Sequence, residues 1–310
     1  MGTTYNISCI GCDKNLKPGI DSLLDVVNQS MSTYMDSSSI TLFNSHRDTT
    51  LFPCDRHVAS VMMIALKVWK ASSGAFDPTV MPLVEFWGFG KNKDVQPDSS
   101  KVDSLIALVG FDGVELTQTG NNGNYAVKKR KPNAQVDFSA VAKGYGVDAI
   151  SVLLDVSGIE HYMIEIGGEV RTKGRNDKGQ LWRIGIEKPV EQLQRSVFSA
   201  LSLENEAMAT SGNYRNFYEQ DGQKYVHTIN PKTGYPELSN TFSATVISND
   251  CATADAFATA FMVLGVERGL VIAEATDDLE AYFIYSDSTG NFKTLMSSGL
   301  VNRVTEANRN

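Results

Sequence analysis

Val136-Asp-Phe-Ser-Ala-Val-Ala-Lys-Gly-Tyr-Gly-Val-Asp148 predicts a short buried strand that runs through a turn of small residues into a helix. Apolar side chains recur at helical spacing after the turn, at Val141, Tyr145, Ala149, Val152, Leu153 and Val156. Ser139 and Ala140 are too small to block a ligand, and the first turn of a helix offers unpaired N–H groups at the positive end of its dipole. Because Lys143 adds a positive charge, this turn is predicted to bind an anion.

The composition is typical of a globular protein, with 42% hydrophobic and 21% charged residues in a chain of 310. No repeat or low-complexity linker divides the chain, so we expect one domain over residues 1–310, which could consist of two intimately packed lobes. The net charge of -8 argues against nucleic acid as the main partner. The one basic run, Lys128 to Lys131, is predicted to be a solvated strand edge.

Neither a membrane span nor an export signal is predicted. No apolar run approaches the length of a bilayer span, and the first residues lack a charged segment followed by an apolar one. The four cysteines, Cys9, Cys12, Cys54 and Cys251, are expected to be free thiols in a reducing compartment. Cys9 and Cys12 have the spacing of a redox or zinc motif, but no second Cys or His pair accompanies them. These features predict a cytoplasmic protein.

Strands joined by hairpins and helices in separate groups predict an α+β fold with mostly antiparallel sheets and flanking helices. Helices are predicted from about Asp21, from Val58 to Trp69, from Ser99, after Ser139, and over 253–264 and 266–276. Strands are predicted over 4–9, 114–118, 125–129, 135–138, 162–166, 182–187, 197–203, 214–219, 224–229, 241–247, 281–285 and 292–296.

Asp255 and Thr259 lie one helical turn apart on the predicted helix 253–264, and therefore on one face. The residues around them are almost wholly apolar, so a carboxylate here needs a partner. Hard oxygen ligands at this spacing suit Mg²⁺, which completes its octahedron with water and phosphate. The alternative is structural, with Asp255 capping the helix and Thr259 bonding to its own backbone.

His227 ends a predicted strand, where it could be a general base in a cleft or an ordinary surface histidine. Gly167-Gly168 and Ser211-Gly212 would allow close approach of phosphate or a planar ring, or would simply form turns. Tyr34 follows the first helix and could face a cleft or pack against the helix end. No P-loop or dinucleotide fingerprint is present, which disfavours the common nucleotide folds.

Five blocks of sequence recur in a known order and spacing. They are Met-Gly-Thr-Thr-Tyr at 1–5, Met-Ser-Thr-Tyr with Phe-Asn within 31–44, Gly-Ala-Phe-Asp-Pro-Thr-Val with Trp-Gly-Phe-Gly within 74–90, the stretch 136–148, and a last block within 209–260. The last block contains Ala-Thr-Ser-Gly-Asn-Tyr-Arg-Asn, His227, Asn-Pro-Lys-Thr-Gly and Ala-Thr-Ala-Asp-Ala-Phe-Ala-Thr-Ala. Together they resemble the ApbE family of bacterial FAD:protein FMN transferases over essentially the whole chain. The resemblance implies an ApbE-like fold with an active-site cleft between two packed lobes.

The resemblance implies that Asp255, Thr259 and the main-chain oxygen of Ala140 hold Mg²⁺. It implies FAD as the substrate, contacted by Met1, Tyr34, Ala75, Phe76, Asp77, Asp137, Lys143 and Ile229. His227 would take the proton from a Thr or Ser hydroxyl of an acceptor flavoprotein as that hydroxyl attacks the FMN-side phosphorus. AMP would leave, and FMN would stay on the acceptor as a phosphoester, with Asp255 essential for the reaction.

The sequence departs from the family in two respects. The family usually has Asp where this chain has Asn230, which removes a possible charge near the base. Most relatives are exported lipoproteins, so the alternative to a cytoplasmic protein is a periplasmic one anchored to the inner membrane. Two other functions stay open: an Mg²⁺-dependent FAD pyrophosphatase, which the aromatic Tyr34 disfavours by slowing the access of water, and a non-catalytic flavin carrier or partner-binding module.

Overall fold

A computed structural model describes residues 2–12, 15–91, 95, 97–120, 123–187, 197–213, 217–220, 223–237 and 239–306. Its helices are α1 (Lys17–Met31), α2 (Ser39–Ser45), α3 (Arg56–Ala71), α4 (Met81–Phe86), α5 (Val102–Ile106), α6 (Ser139–Val156), α7 (Cys251–Leu264) and α8 (Val266–Ala275). Its strands are β1 (Tyr5–Cys9), β2 (Phe52–Cys54), β3 (Val114–Thr119), β4 (Asn124–Lys129), β5 (Tyr162–Ile166), β6 (Glu169–Lys173), β7 (Trp182–Glu187), β8 (Val197–Leu203), β9 (Ala207–Gly212), β10 (Phe217–Gln220), β11 (Gln223–Val226), β12 (Thr241–Ser248), β13 (Leu279–Ser286), β14 (Phe292–Met296) and β15 (Val304–Glu306).

The principal sheet has seven strands in the order β1-β5-β6-β9-β12-β13-β14, and every neighbouring pair is antiparallel. Smaller antiparallel sheets have the orders β2-β4-β3, β15-β8-β7 and β10-β11. Helix α7 packs against β9 and β12 of the principal sheet and against α6. The predicted α+β class is confirmed.

Helix α7 is almost wholly buried, which explains why its sequence is apolar on every face. Phe257 and Phe261 are fully buried, and the Phe261 ring centroid lies 5.7 Å from that of Phe283 on β13. A carboxylate carried by this helix therefore lies in the protein interior, where it needs a partner.

Helices α6 and α7 approach each other very closely. A β-carbon on Gly144 would lie 2.3 Å from the carbonyl oxygen of Cys251 and 2.8 Å from Ala252 Cα, so a larger residue does not fit. The Asp148 carboxylate accepts hydrogen bonds from the N–H groups of Cys251 and Ala252, both at 2.9 Å. These bonds satisfy backbone donors in the first turn of α7 and tie the two helices together.

The segment before α6 is buried but is not the predicted strand. The Asn44 side chain accepts a hydrogen bond from the Val136 N–H and donates one to the Val136 carbonyl, both at 2.8 Å. The Asp137 N–H donates to the Pro78 carbonyl, also at 2.8 Å. The strand prediction was wrong because a side-chain amide, and not a neighbouring strand, satisfies the backbone of this segment.

Several predicted boundaries also differ from the structure. Helix α1 begins at Lys17 and not near Asp21, and the helix predicted from Ser99 is a 3₁₀ turn followed by the short α5. The sequence does not predict β6 and β9, whose small and polar residues hide the alternation but which pair on both sides within the sheet. The predicted hairpin over 214–219 and 224–229 is present in part as β10 and β11. Residues 214–216 lie outside the described residues, and β11 ends at Val226 and not at residue 229.

The basic run from Lys128 to Lys131 is not entirely a solvated edge. Lys129 is 1% exposed, and its ammonium group donates to three carbonyl oxygens, of Phe43 at 3.2 Å, Asn44 at 3.4 Å and Ala134 at 3.0 Å. Burial lowers the pKa of Lys129 to about 8. The prediction was wrong for this residue because alternation along β4 points it inward beside Val127.

Two further expectations were wrong. Val152 and Val156 belong to the apolar run of α6 but are 60% and 78% exposed. Cys9 and Cys12 form a disulfide, whereas Cys54 and Cys251 are free thiols as predicted.

Within the described residues, none of the helices has both the length and the apolar character needed to span a bilayer.

Candidate active site

A cavity of 430 Å³ brings together most of the residues predicted to form the site. Its wall is built from the turn after α1, the segment after α3, the start of α6, the β5–β6 turn, the end of β9, the loop after β11 and helix α7. The predicted residues that line it are Tyr34, Ala75, Phe76, Asp77, Asp137, Ala140, Lys143, Gly167, Ser211, Gly212, His227, Ile229, Asp255 and Thr259.

Gly168 does not line this cavity. It lies in the turn between β5 and β6 with φ 107°, and its N–H donates to Glu165 Oε1 at 2.7 Å. The Gly-Gly pair therefore brings only Gly167 to the cavity lining, and a contact between Gly168 and FAD stays a prediction. Met1 lies outside the described residues.

Asp255 is a buried carboxylate, 3% exposed, at the crossing of α6 and α7. Its Oδ2 accepts a hydrogen bond from the Gly144 N–H at 3.0 Å, and its Oδ1 lies 3.8 Å from the Lys143 ammonium nitrogen. The cap of α7 is Asp250, whose carboxylate accepts from the Thr253 N–H at 2.7 Å. Asp255 is therefore not a helix cap, and the structural alternative for it is wrong.

Glu169, at the start of β6, was missed by the sequence analysis. It is 2% exposed; one carboxylate oxygen pairs with the Lys143 ammonium, and the other is buried without a hydrogen-bond partner among the described residues. Burial and then the charge of Asp255 raise the pKa of Glu169. Burial acts to lower the pKa of Lys143, but the charges of Asp255 and Glu169 outweigh it and raise that pKa. We call Asp255, Lys143 and Glu169 the charged cluster.

The charged cluster has the electrostatic character of a cation site, because two buried carboxylates share one ammonium group. Uncharged oxygens are close by. Thr259 Oγ1 lies 3.2 Å from Ser211 Oγ, and Ala140 has φ −87° and ψ 15°, which tilts its carbonyl out of the regular helix. No cluster of three or more His, Cys, Asp or Glu side chains suited to a metal occurs in the described residues. A cation here would therefore need hydroxyl and carbonyl oxygens beside the Asp255 carboxylate, and all three kinds of oxygen suit Mg²⁺.

Asp77 lines the cavity, but its carboxylate mainly holds its own loop. One oxygen accepts from the N–H and hydroxyl of Thr79 at 2.8 and 2.5 Å, and the other accepts from the Trp69 indole at 3.0 Å and the Phe111 N–H at 3.1 Å. Burial raises the pKa of Asp77, against the effect of these hydrogen bonds. By holding this loop, Asp77 fixes the position of Ala75 and Phe76, which are both buried and line the cavity.

Asp137 lies at the start of α6. Its carboxylate accepts from the Ser139 N–H at 2.9 Å and from the Ser139 hydroxyl at 3.0 Å. Burial raises the pKa of Asp137, and these hydrogen bonds partly oppose that effect. Because the first turn of α6 already donates to a carboxylate, positive charge for an anionic ligand here comes chiefly from Lys143.

His227 directly follows β11, and the loop that it opens lines the cavity with His227, Ile229 and Pro231. The loop is anchored at its start, because the Thr228 hydroxyl donates to Asn213 Oδ1 at 2.9 Å. A bridge between Ile229 and Pro236 closes it. The structure thus puts His227 in a cavity, on a loop that is anchored at both ends, and its role as a general base stays a prediction.

Tyr34 stands at the mouth of the cavity with 67% of its surface exposed. Its exposure and its place in the cavity lining favour the cleft-facing interpretation over packing against the helix end. Close by, Asp36 Oδ1 and the Lys91 ammonium form an ion pair at 3.2 Å, which joins the Tyr34 turn to the segment after α4.

The fold and the cavity define a class: an α+β protein with a buried acid-lysine-acid cluster and a loop histidine in one cleft. Comparison with known proteins identifies that class more closely. The sequence profile of the ApbE family matches residues 1–283. The chain therefore belongs to the ApbE family.

Relatives match over nearly the full chain. The FAD:protein FMN transferase of Vibrio cholerae is 42% identical over 305 residues, which cover 96% of this chain and 89% of the relative. That of Haemophilus influenzae is 37% identical over 307 residues, covering 96% and 88%. Among solved structures, the flavin transferase ApbE of Vibrio cholerae has a TM-score of 0.86 at 39% identity, covering 98% of this chain and 96% of that one. The apbe protein of Thermotoga maritima has a TM-score of 0.81 at 26% identity, covering 96% and 95%.

Proposed function

We propose that this protein is an Mg²⁺-dependent FAD:protein FMN transferase, and that residues 1–310 act as one catalytic domain. It would attach FMN through a phosphoester bond to a Thr or Ser hydroxyl of an acceptor flavoprotein and release AMP. The observation that carries the proposal is that the buried charged cluster and His227 line the same cavity. The names of the relatives, which match 96% of the chain, support it.

The charged cluster is the proposed site of the FAD pyrophosphate. Asp255, Thr259 and the Ala140 carbonyl would hold Mg²⁺, which when bound would offset the negative charge of the phosphates. Lys143 is held in place by Glu169 and would add a fixed positive charge beside them. Because both carboxylates of the cluster are buried, these charges would act more strongly than they would in water.

The remaining lining residues are proposed to hold the flavin and adenosine ends of FAD. Tyr34 offers an exposed aromatic face at the mouth, and Gly167 and Ser211-Gly212 leave room for a planar ring or a phosphate to approach. The other proposed contacts are Met1, Ala75, Phe76, Asp77, Asp137 and Ile229.

His227 is proposed to act as the general base. It would accept the proton of the acceptor hydroxyl while the hydroxyl oxygen forms a bond to the FMN-side phosphorus. The bond between that phosphorus and the bridging oxygen breaks, and the bridging oxygen leaves with AMP. The loop anchored by Thr228 and closed at Pro236 would keep the imidazole in the cavity during this transfer.

The direct test is incubation of the protein with FAD, Mg²⁺ and an acceptor flavoprotein that carries a Thr or Ser attachment site. We expect an acceptor that carries covalently bound, fluorescent FMN and whose mass increases by that of FMN less one water, together with free AMP. The acceptor with that hydroxyl residue replaced by Ala is the control. Absence of label on an intact acceptor would reject the transferase.

The same assay separates the two alternatives. Free FMN and AMP formed without any acceptor would identify an FAD pyrophosphatase that uses water as the nucleophile. FAD binding without any product, unchanged in His227→Ala, would identify a non-catalytic flavin carrier, because binding alone needs no base.

The predicted cytoplasmic location and its exported alternative imply different acceptors. A cytoplasmic enzyme would modify a soluble flavoprotein, whereas an exported enzyme would modify a component of a membrane-bound redox pump. A Cys9–Cys12 disulfide formed in the cell would support the exported alternative, because disulfides persist mainly in oxidising compartments. Alkylation of acid-quenched cells, followed by mass spectrometry of the 9–12 peptide, would decide between a thiol pair and a disulfide in vivo.

A further inference from the structure

The side chains of Asn230 and Glu237 meet across the base of the loop that follows His227. Asn230 Nδ2 donates to Glu237 Oε2 at 2.7 Å. The Lys232 N–H donates to Asn230 Oδ1 at 2.9 Å, so the oxygen of the amide is already committed to the turn. The amide orientation is therefore determined, and it is the NH₂ group that faces the Glu237 carboxylate.

Backbone hydrogen bonds place this pair where the loop closes. The Asn230 N–H donates to the Tyr235 carbonyl at 2.9 Å, and the Glu237 N–H donates to the Thr228 carbonyl at 2.8 Å. Thr228 is the residue next to His227, and Ile229, which lines the cavity, lies between Thr228 and Asn230. A shift at the Asn230–Glu237 contact is therefore transmitted directly to the residues of the cavity.

The far end of the same loop cannot easily move to accommodate such a shift. The Trp87 indole N–H donates to the Gly234 carbonyl at 2.7 Å. Gly234 has φ 75°, and a β-carbon there would lie 2.7 Å from side-chain atoms of Val102 and Ile106. Because α5 and Trp87 hold the tip of the loop, we expect a distortion at its base to displace the residues next to His227.

We propose that Asn230 and Glu237 are a matched amide–carboxylate pair that positions His227, an inference that rests on the proposed transferase function. With Asp at position 230, two carboxylate oxygens would stand at the 2.7 Å separation that a hydrogen bond now occupies. Like charges at such a distance repel, so one carboxylate must protonate or the pair must separate. Asn230 thus provides an uncharged hydrogen-bond donor for the contact with Glu237 that closes the loop. An acidic residue at position 230 would require a residue other than Glu at position 237.

The test compares Asn230→Asp, Glu237→Gln and the double variant, with kcat and KM for FAD measured in FMN transfer at saturating Mg²⁺. We expect Asn230→Asp to lower kcat about tenfold, because a small displacement of the base has a large effect on the rate. The KM for FAD should change less than about threefold, since the charged cluster is untouched. The double variant restores a carboxylate–amide hydrogen bond in reversed polarity, and its kcat should return to within about twofold of the wild type.

Asn240→Asp is the matched control, because Asn240 is an exposed residue that does not line the cavity. Its side-chain amide donates to the Ser286 carbonyl at 2.8 Å. The kcat of this variant should equal that of the wild type. A wild-type kcat for Asn230→Asp would overturn the proposal, and so would a double variant no better than Asn230→Asp.

Thermal unfolding separates this proposal from the proposed function. If the wild type does not transfer FMN, the transferase proposal fails. The matched pair is then supported if Asn230→Asp lowers Tm and Glu237→Gln restores it in the double variant, and is rejected if it does not.

Discussion

The crossing of α6 and α7 and the mouth of the same cavity are built in opposite ways. At the crossing, Asp255 is 3% and Glu169 is 2% exposed, and both surround the Lys143 ammonium. At the mouth, Tyr34 is 67% exposed, and the Asp36 side chain that pairs with Lys91 is 96% exposed. Buried charges interact strongly because little water screens them, whereas an exposed ion pair contributes roughly 0–1 kcal/mol.

This difference suggests that the helix crossing and the mouth of the cavity have different functions. The helix crossing is preorganised by the core of the protein, so we expect it to provide the electrostatic part of the chemistry. The mouth adjoins solvent, since Tyr34 is largely exposed, so we expect it to affect binding of FAD more than the reaction itself. Substitutions at the two places should therefore change different kinetic constants.

The largest effect is expected for Asp255→Asn, which keeps the shape of the side chain but removes its charge from the cluster. We predict a fall in kcat for FMN transfer of about a thousandfold, the scale of losing a preorganised electrostatic group. Mg²⁺ titration should show weaker activation. Asp250→Asn on the same helix is the control, since Asn caps a helix as well as Asp does. Comparable activities of the two variants would contradict a role for the crossing in the chemistry.

Gly144→Ala tests whether the closeness of the two helices matters. Its β-carbon would lie 2.3 Å from the Cys251 carbonyl oxygen, so we predict a loss of unfolding free energy of about 1–3 kcal/mol. A shift of Asp255 by about 1 Å would lower kcat by about a hundredfold.

Gly19→Ala is the matched control in helix α1, because a β-carbon there would meet only Leu153 Cδ2 at 3.8 Å. It should raise the unfolding free energy by up to about 1 kcal/mol, as expected for Ala in place of Gly in a helix. Both quantities can be measured by denaturant unfolding and steady-state kinetics. Equal stability of the two variants would show that the crossing tolerates a wider separation.

Glu169→Gln is expected to have a moderate effect, because Lys143 would keep Asp255 as a charged neighbour. We predict a loss of about tenfold in kcat and a higher Mg²⁺ requirement, as is usual for groups that orient a ligand-binding side chain. Glu160→Gln, an exposed residue before β5, is the comparison variant. An unchanged Mg²⁺ dependence in Glu169→Gln would show that Glu169 has no role in Mg²⁺ binding at the helix crossing.

The smallest effect is expected for Tyr34→Ala at the mouth. The KM for FAD should rise about fivefold, as expected for the loss of one aromatic contact, with kcat and Tm nearly unchanged. Val156→Ala, which truncates an apolar residue on α6 that is even more exposed than Tyr34, should change neither constant. A larger fold-change in kcat than in KM would contradict the assignment of FAD binding to the mouth and of catalysis to the helix crossing.

Much of the fold could be predicted from periodicity. The helices of 56–71, 139–156 and 251–264 and the antiparallel hairpins stand where the apolar spacing indicates. Strands β6 and β9 could not be predicted, because their small and polar residues become strands only through pairing on both sides. The segment before α6 was predicted as a strand because its sequence is extended and buried, but a side chain from α2 provides its hydrogen bonds.

The site was predictable where residue type and family resemblance coincided, as for His227, Asp255 and Thr259, which line one cavity. Glu169 was not predicted, because an acidic residue after two glycines has no local signal of burial. Lys129 was placed at the surface for the related reason that a run of basic residues does not show which side chain faces inward.

The sequence by itself determined the class of the fold, the helix that carries Asp255 and Thr259, and the small-residue turn that opens α6. Only the tertiary structure decided that Lys143, which follows this turn, forms a charged cluster with Asp255 and Glu169. The positive end of α6 is already used by Asp137, and Lys143 is fixed between two carboxylates from separate elements. The physical reason is that helical periodicity is set by neighbours in the chain, whereas the burial and pairing of charges depend on residues that meet only when the chain has folded.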